Sequence, residues 1–411
     1  MVSLGGEFGT CSSSGGQGAS VSSSGNPDKK NGDVGGTESL QDYFVQGESR
    51  AASLSNRGPL RFDAEGALDP AIVEAYEKIG FYVFEGLIDA EEISELESDL
   101  ADLLDRTPAT QGGDVDCKGR RLAEGLPNLQ WAQPLSDPWG GTKLLNGRHP
   151  VRMEEPVASA KVREKAIFLM LGMFESMESA LRLSAHPEML HVAESLNGPD
   201  FVPYNDSIFL KDPGLGAAVA WHQDGTTHWD NPDWDPEIHG VNFMAQLCRT
   251  TAANGLWIVP GSHRLGHIDI PAYVEANGGS TRLPEAVPML CEKGDVAICN
   301  RQCLHGSFAN ASPDRRVTFV WGFFRRDAIL DVEVDVPATQ EGKMPERKRY
   351  TDAAISERAA LVQLAIEARH QHRPDEAPFE YSAGAAHAGS YPNTESRAKA
   401  LRGYRDATIF I

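Results

Sequence analysis

"GDVAICNRQCLHGSFANASPDRRVTFVWGFF", residues 294–324, is the stretch on which the fold turns. A short apolar run ends at Asn300 and is followed by a turn and by His305-Gly306-Ser307. A polar loop then leads into a second apolar run that opens with Arg315 and Arg316. Runs this short, rich in β-branched and aromatic residues and bounded by Gly, Asn, Asp or Pro, read as strands. Five more share the texture upstream: "DSIFLK" (206–211), "AAVAW" (217–221), "VNFMAQLCR" (241–249), "GLWIVP" (255–260) and "VPMLCE" (287–292). Seven short strands with turn signals between them predict a β-sandwich or jelly roll.

Helices are expected around that core. "DPAIVEAYEKIG" (69–80) reads as a helix closing at Gly80, and "FYVFEGLI" (81–88) as a strand. Asp89 then caps a helix that places Ile93, Leu96, Leu100, Leu103 and Leu104 on one face. Helices are also expected at 161–184, 187–196 and 352–370. Residues 1–37 are Gly- and Ser-rich with almost nothing to bury, so they are expected to be disordered. Residues 38–66 are polar and transitional, and the whole of 1–66 is expected to be a disordered Gly/Ser-rich N-terminal segment. Residues 67–340 read as one domain, mainly β with flanking helices, carrying an irregular insertion at 106–160. Residues 341–411 read as a helix and tail packing on the same domain.

The chain has 411 residues and a formal charge of -21, from 59 acids and 38 bases. That balance repels phosphate backbones and anionic membranes, so neither nucleic acid nor a membrane is an expected partner. The six cysteines form no C-x-x-C pair and no regular framework, which points to reduced thiols in an intracellular compartment. No apolar run reaches the roughly 18 residues of a membrane span, and the N-terminus lacks the pattern of a signal peptide. A cytoplasmic location is expected. Oligomeric state is not legible.

Most of the 12 histidines need no special explanation. His222 and His305 differ because both stand at the edge of a predicted strand. In "WHQD" (221–224), His222 and Asp224 are two apart. A jelly roll packs two sheets face to face, so His222, Asp224 and His305 can converge on one side of a metal and leave the other side open. That is the two-histidine, one-carboxylate arrangement of non-haem Fe(II) oxygenases. If the co-substrate is 2-oxoglutarate, an arginine fork is needed for its distal carboxylate. Alternation puts Arg315 and Arg316 on opposite faces of their strand and does not choose between them. From the residues alone, a β protein with satisfied surface histidines remains the competing description.

The ordered set of segments resembles the phytanoyl-CoA dioxygenase family of Fe(II)/2-oxoglutarate oxygenases over roughly residues 68–326. The matching segments are "GFYVFEGLIDAEEISELESDL" (80–100), "HPEMLHVAESLNGPDF" (186–201), "IFLKDPG" (208–214), "WHQD", "NGLWIVPGSHRLGH" (254–267), "KGDVAICN" (293–300) and "LHGSFANASPDRRVTF" (304–319). The resemblance implies a double-stranded β-helix, a cupin-like jelly roll, that uses Fe(II), 2-oxoglutarate and O2 on a small organic substrate. By it, His222, Asp224 and His305 are the iron ligands. The family's 2-oxoglutarate arginine lies eleven residues after the distal histidine, which selects Arg316. Ser307 matches a position that helps hold the same carboxylate, and Lys211 matches a commonly basic one. "PGSH" (260–263) is a family marker that reads as a structural turn. Met244 stands where the family often has tryptophan, and 106–160 matches no recognisable part of it.

Halogenating relatives carry Gly or Ala at the position of Asp224, so hydroxylation is the expected outcome. The rivals are desaturation, epimerisation or ring formation on the same scaffold, or a non-catalytic jelly-roll metal-binding protein. The loop 225–240, with Trp229 and Trp234, is the first candidate for a lid over substrate.

Overall fold

The computed structural model describes residues 39–123, 125–132, 149–153, 165–214, 216–224, 240–310, 312–336, 346–391 and 393–406. The expected disordered head up to residue 38, the loop at 225–239 and parts of the 106–160 insertion lie outside the described residues.

The short apolar runs pair into two facing sheets. The larger holds β1 (Arg57–Gly58), β2 (Phe81–Phe84), β3 (Asn128–Ala132), β4 (Ala166–Leu171), β5 (Val202–Pro203) and β6 (Ser207–Lys211). The smaller takes the next strand, β7 (Val219–His222). Further along, β8 (Val241–Gln246) joins the large sheet, while β9 (Trp257–Ile258) and β10 (Val287–Pro288) join the small one. The last four are β11 (Val296–Asn300) in the large sheet, β12 (His305–Ser307) in the small one, β13 (Arg316–Phe324) in the large one, and β14 (Glu333–Val336). A final strand, β15 (Glu346–Arg349), makes a separate antiparallel pair with β14. The large sheet runs β1-β2-β11-β8-β13-β6-β4-β3, with β5 also on β13, and the small one runs β10-β9-β12-β7. This is the jelly roll that the strand pattern predicts.

Alternation sorts the side chains of the large sheet into two faces. On β13, Val317, Phe319, Trp321 and Phe323 enter the main core against the helices. Arg316, Thr318 and Val320 point into the space between the sheets. At one end of that space Phe81, Val83, Met244 and Ala297 of the large sheet meet Ile258 and Val287 of the small one.

The helices form where capping and periodicity agree. Pro70–Ile79 starts with Pro at its first turn and an Asp69 cap, and it ends on Gly80 at φ 93°. Ala90–Leu104 is capped by Asp89, which accepts from Glu92 N at 2.8 Å, and it buries Ile93, Leu96, Leu100 and Leu103. The long helix Asp352–His372 packs on the same core through Leu361, Leu364 and Ala365. Among the described residues no helix is long and apolar enough to cross a membrane.

Two expectations are corrected. The segment 161–184 is not one helix: Ala166–Leu171 is strand β4, and short helices Met173–Ser176 and Glu178–Leu183 follow Gly172. Its apolar run is claimed by pairing with β3 and β6 on either side. The polar stretch 38–66 is not featureless, because Leu40–Ala52 is a helix with a Ser39/Asp42 capping box. It covers the outer face of the small sheet, where Tyr43 stacks on Trp257 at 4.6 Å between ring centroids. Order therefore begins well before residue 67.

Candidate active site

Strands β7 and β12 run antiparallel, and their register sets His222 directly opposite His305. The two imidazoles lie 4.1 Å apart between ring centroids. Asp224 follows two residues after His222, and its N–H bonds Arg301 O at 2.9 Å. The possible ligand atoms of His222, Asp224 and His305 all lie within 4.8 Å of one another. Among the described residues this is the only such cluster of three or more His, Cys, Asp or Glu side chains.

The two histidines are held in the same way. His222 Nδ1 lies 2.8 Å from Ala220 O, and His305 Nδ1 lies 2.8 Å from Cys303 O. A carbonyl only accepts, so each Nδ1 donates to it and Nε2 is the ring atom turned to the shared centre. On the third member, Asp224 Oδ2 accepts from Asn242 Nδ2 at 3.0 Å, while Oδ1 lies 3.7 Å from His222 Nε2. Two imidazole nitrogens and one carboxylate oxygen on one side of a point suit a divalent transition metal such as iron.

The "PGSH" segment supports this arrangement from behind. Gly261 at φ 75° lets the chain turn, and Ser262 Oγ accepts from Leu304 N at 2.8 Å, one residue before His305. His263 sits on the far side, with Nε2 at 2.9 Å from Glu77 O and Nδ1 at 3.6 Å from Cys303 Sγ. It is a turn that buttresses β12.

Of the two adjacent arginines, Arg315 pairs with Asp212 at 2.6 Å. Arg316 points inward and is 4% exposed. Its Nε donates to Thr318 Oγ1 at 2.9 Å, and Thr318 donates on to Gln246 Oε1 at 2.7 Å. Among the described residues no carboxylate pairs with it, and burial pushes its pKa down to about 10. Ser307 Oγ is buried and makes no hydrogen bond among the described residues. A buried cation lacking an acid and a buried hydroxyl lacking a partner are what a carboxylate ligand would satisfy. Lys211 lies opposite Arg316 in the β6–β13 register and donates to Phe308 O at 2.5 Å, next to Ser307.

Beyond Arg316 the inner face of the large sheet opens. Val320, Phe209 and Leu169 lie on that face by register and are only half-buried, whereas Phe319, Ile208 and Met170 on the opposite face are closed into the core. The insertion also reaches the site. His149 packs on His222 at 4.3 Å between ring centroids, and Met153 is buried with Ala220 and Trp221 beneath it. Neither His149 nor the pair Asn242 and Arg301 stands out in the sequence, since no spacing relative to His222 marks them.

Comparison with known proteins shows the family of the chain. Residues 76–318 match the phytanoyl-CoA dioxygenase (PhyH) family. Phytanoyl-CoA dioxygenase 1 of Oryza sativa subsp. japonica is 33% identical over 114 residues, which cover 26% of this chain and 39% of that protein. Dioxygenase lolE1 of Epichloe uncinata is 32% identical over 144 residues, 34% of this chain and 51% of that protein. The matches thus span about half or less of the length of these two relatives. Among solved structures, EctD from S. alaskensis with 2-oxoglutarate and 5-hydroxyectoine is 18% identical with a TM-score of 0.46, covering 71% of this chain and 86% of that one.

Proposed function

The chain belongs to the phytanoyl-CoA dioxygenase family of Fe(II)/2-oxoglutarate dioxygenases, and on that premise we propose that it hydroxylates an unactivated C–H bond of a small organic substrate. Fe(II), 2-oxoglutarate and O2 are the cofactors of that family. We assign His222, Asp224 and His305 as the iron ligands, with Arg316, Ser307 and Lys211 at the 2-oxoglutarate end. The observation that carries this assignment is the convergence of two Nδ1-tethered imidazoles and one carboxylate within 4.8 Å, beside a buried arginine that pairs with no acid among the described residues.

When bound, iron and 2-oxoglutarate supply the oxidising power: one atom of O2 goes into succinate as CO2 leaves, and the other replaces a substrate hydrogen as hydroxyl. Everything else falls to the protein. His222 and His305 hold their rings by the Nδ1–H bonds and so keep both Nε2 atoms aimed at one point. Arg316 receives the distal carboxylate as a fork, braced through Nε by Thr318 and Gln246. Lys211 pins the Phe308 carbonyl and with it the backbone that presents Ser307. The half-open apolar wall of Val320, Phe209 and Leu169 offers a dry surface for the substrate's carbon skeleton. Residues 67–340 would form the catalytic unit, with 341–411 packed on it.

Asp224 favours oxygen insertion over halogen transfer, since its carboxylate occupies the side that a halide would need. The test is a compound library screened for substrate-dependent succinate release, followed by product mass under isotopically labelled O2. A product that gains one labelled oxygen is expected. A product that has lost two hydrogens and gained no oxygen would replace hydroxylation with desaturation.

A further inference from the structure

Behind Asp224 lies a set of polar groups that the iron and 2-oxoglutarate assignments leave without a role. Asn242 sits on β8 and donates from Nδ2 to Asp224 Oδ2 at 3.0 Å. Its Oδ1 accepts twice, from Arg301 Nη1 at 3.1 Å and from the Tyr204 hydroxyl. A guanidinium has no acceptor, so the Asn242 oxygen faces Arg301 and its NH2 faces Asp224. The amide cannot turn over without breaking all three bonds.

Arg301 is fixed in turn. Its guanidinium lies 4.1 Å over the Tyr204 ring and 5.1 Å from the Phe324 ring centroid. Its backbone carbonyl accepts from Asp224 N at 2.9 Å, and its own N–H bonds Gly240 O at 3.1 Å. Two glycines leave room for this packing. A Cβ on Gly322 would stand 2.2 Å from the Tyr204 ring, and one on Gly240 would stand 2.5 Å from Phe324 and 3.0 Å from Arg301. Tyr204 is itself held from outside the family-matched region, because the hydroxyl of Tyr404, on the helix Thr394–Asp406, donates to Tyr204 O.

We propose that Asn242, backed by Arg301 and Tyr204, is the positioning residue that fixes Asp224 with Oδ2 turned away from the metal and Oδ1 toward it. The proposal takes the iron assignment above as its premise. The Asn242 bond restrains the terminal torsion of the carboxylate, and losing it loosens the direction of Oδ1 toward the histidine Nε2 atoms. Arg301 contributes positive charge 3.8 Å from Oδ2, which offsets the charge of the oxygen that the metal does not use.

The experiment is anaerobic Fe(II) titration by calorimetry of wild type, Asn242→Ala, Asp224→Ala and the double variant, with a thermal melt of each. Asn242→Ala is expected to weaken Fe(II) binding by about 10- to 100-fold, the usual loss for an outer partner of a metal ligand. In the Asp224→Ala background, where there is no carboxylate to orient, the same change is expected to do nothing more. Equal losses in both backgrounds, or an Asn242→Ala affinity within about twofold of wild type, would overturn the positioning role while leaving the iron site standing. Wild type that binds no Fe(II) would overturn the iron assignment itself, and this proposal with it. If Asn242→Ala fails to fold, Tyr204→Phe keeps the ring against Arg301 and removes one bond from the amide. A severalfold loss of affinity is then expected, and no loss would overturn the proposal.

Discussion

Arg316 carries its charge into the interior, where among the described residues it bonds a hydroxyl and no carboxylate, a costly arrangement unless an anion completes it. Arg316→Met is therefore expected to act in opposite directions. The protein without 2-oxoglutarate should melt at a higher temperature, because an uncompensated buried charge is gone. Losing a charged hydrogen-bond partner costs about 1.5–3 kcal/mol, so the Kd for 2-oxoglutarate should rise roughly 10- to 150-fold. Thermal melts with and without 2-oxoglutarate read both effects, and a variant that 2-oxoglutarate still stabilises as strongly would sink the assignment. That His222, Asp224 and His305 would meet was legible only with the resemblance, since strand-edge position and order by themselves left surface histidines as an equal description. Between Arg315 and Arg316, alternation was silent and the resemblance chose. Asn242, Arg301, Tyr204 and His149 were not legible: each reaches the site from a different stretch of chain, so only the packed sheets bring them together.

Gly80 shows how a helix end governs the site. It closes the helix Pro70–Ile79 at φ 93°, and a Cβ there would stand 2.3 Å from Cys303 Sγ and 2.6 Å from His263 Nδ1. Gly80→Ala should cost about 1–3 kcal/mol in strain, read as a lower urea midpoint. It should also weaken Fe(II) binding, because Cys303 O orients His305. An unchanged midpoint would contradict this. That helix and its stop were readable, since cap, period and glycine agree locally. Strand β4 was not, because "AIFLML" is a continuous apolar run that periodicity cannot assign, and its neighbours β3 and β6 decide it. The helix Leu40–Ala52 was missed for the opposite reason. It offers few apolar residues, and docking against Trp257 and Phe308 gives Tyr43 and Phe44 something to bury against.

The helices that flank the jelly roll are clamped to one another by a charged cluster around Arg369, which binds Glu92 and Glu376 and sits near His186. Burial, with Arg369 next, pushes the His186 pKa down to about 4. The unfolded chain takes up that proton near 6.5, so acidification between 6.5 and 4 favours unfolding. Stability should fall over that window, and His186→Asn should flatten it in melts across pH. A slope that survives the substitution would assign it elsewhere. Burial would raise Glu376, but the Arg369 bonds outweigh this and hold its carboxyl low, so its own loss comes only at lower pH. All of this rigidity serves one point in space, where β7 and β12 present their histidines. Anaerobic addition of Fe(II) and then 2-oxoglutarate should give a visible charge-transfer band in wild type, and none in well-folded His222→Ala. Well-folded, iron-loaded wild type that shows no band when 2-oxoglutarate is added would contradict the iron and 2-oxoglutarate site described above.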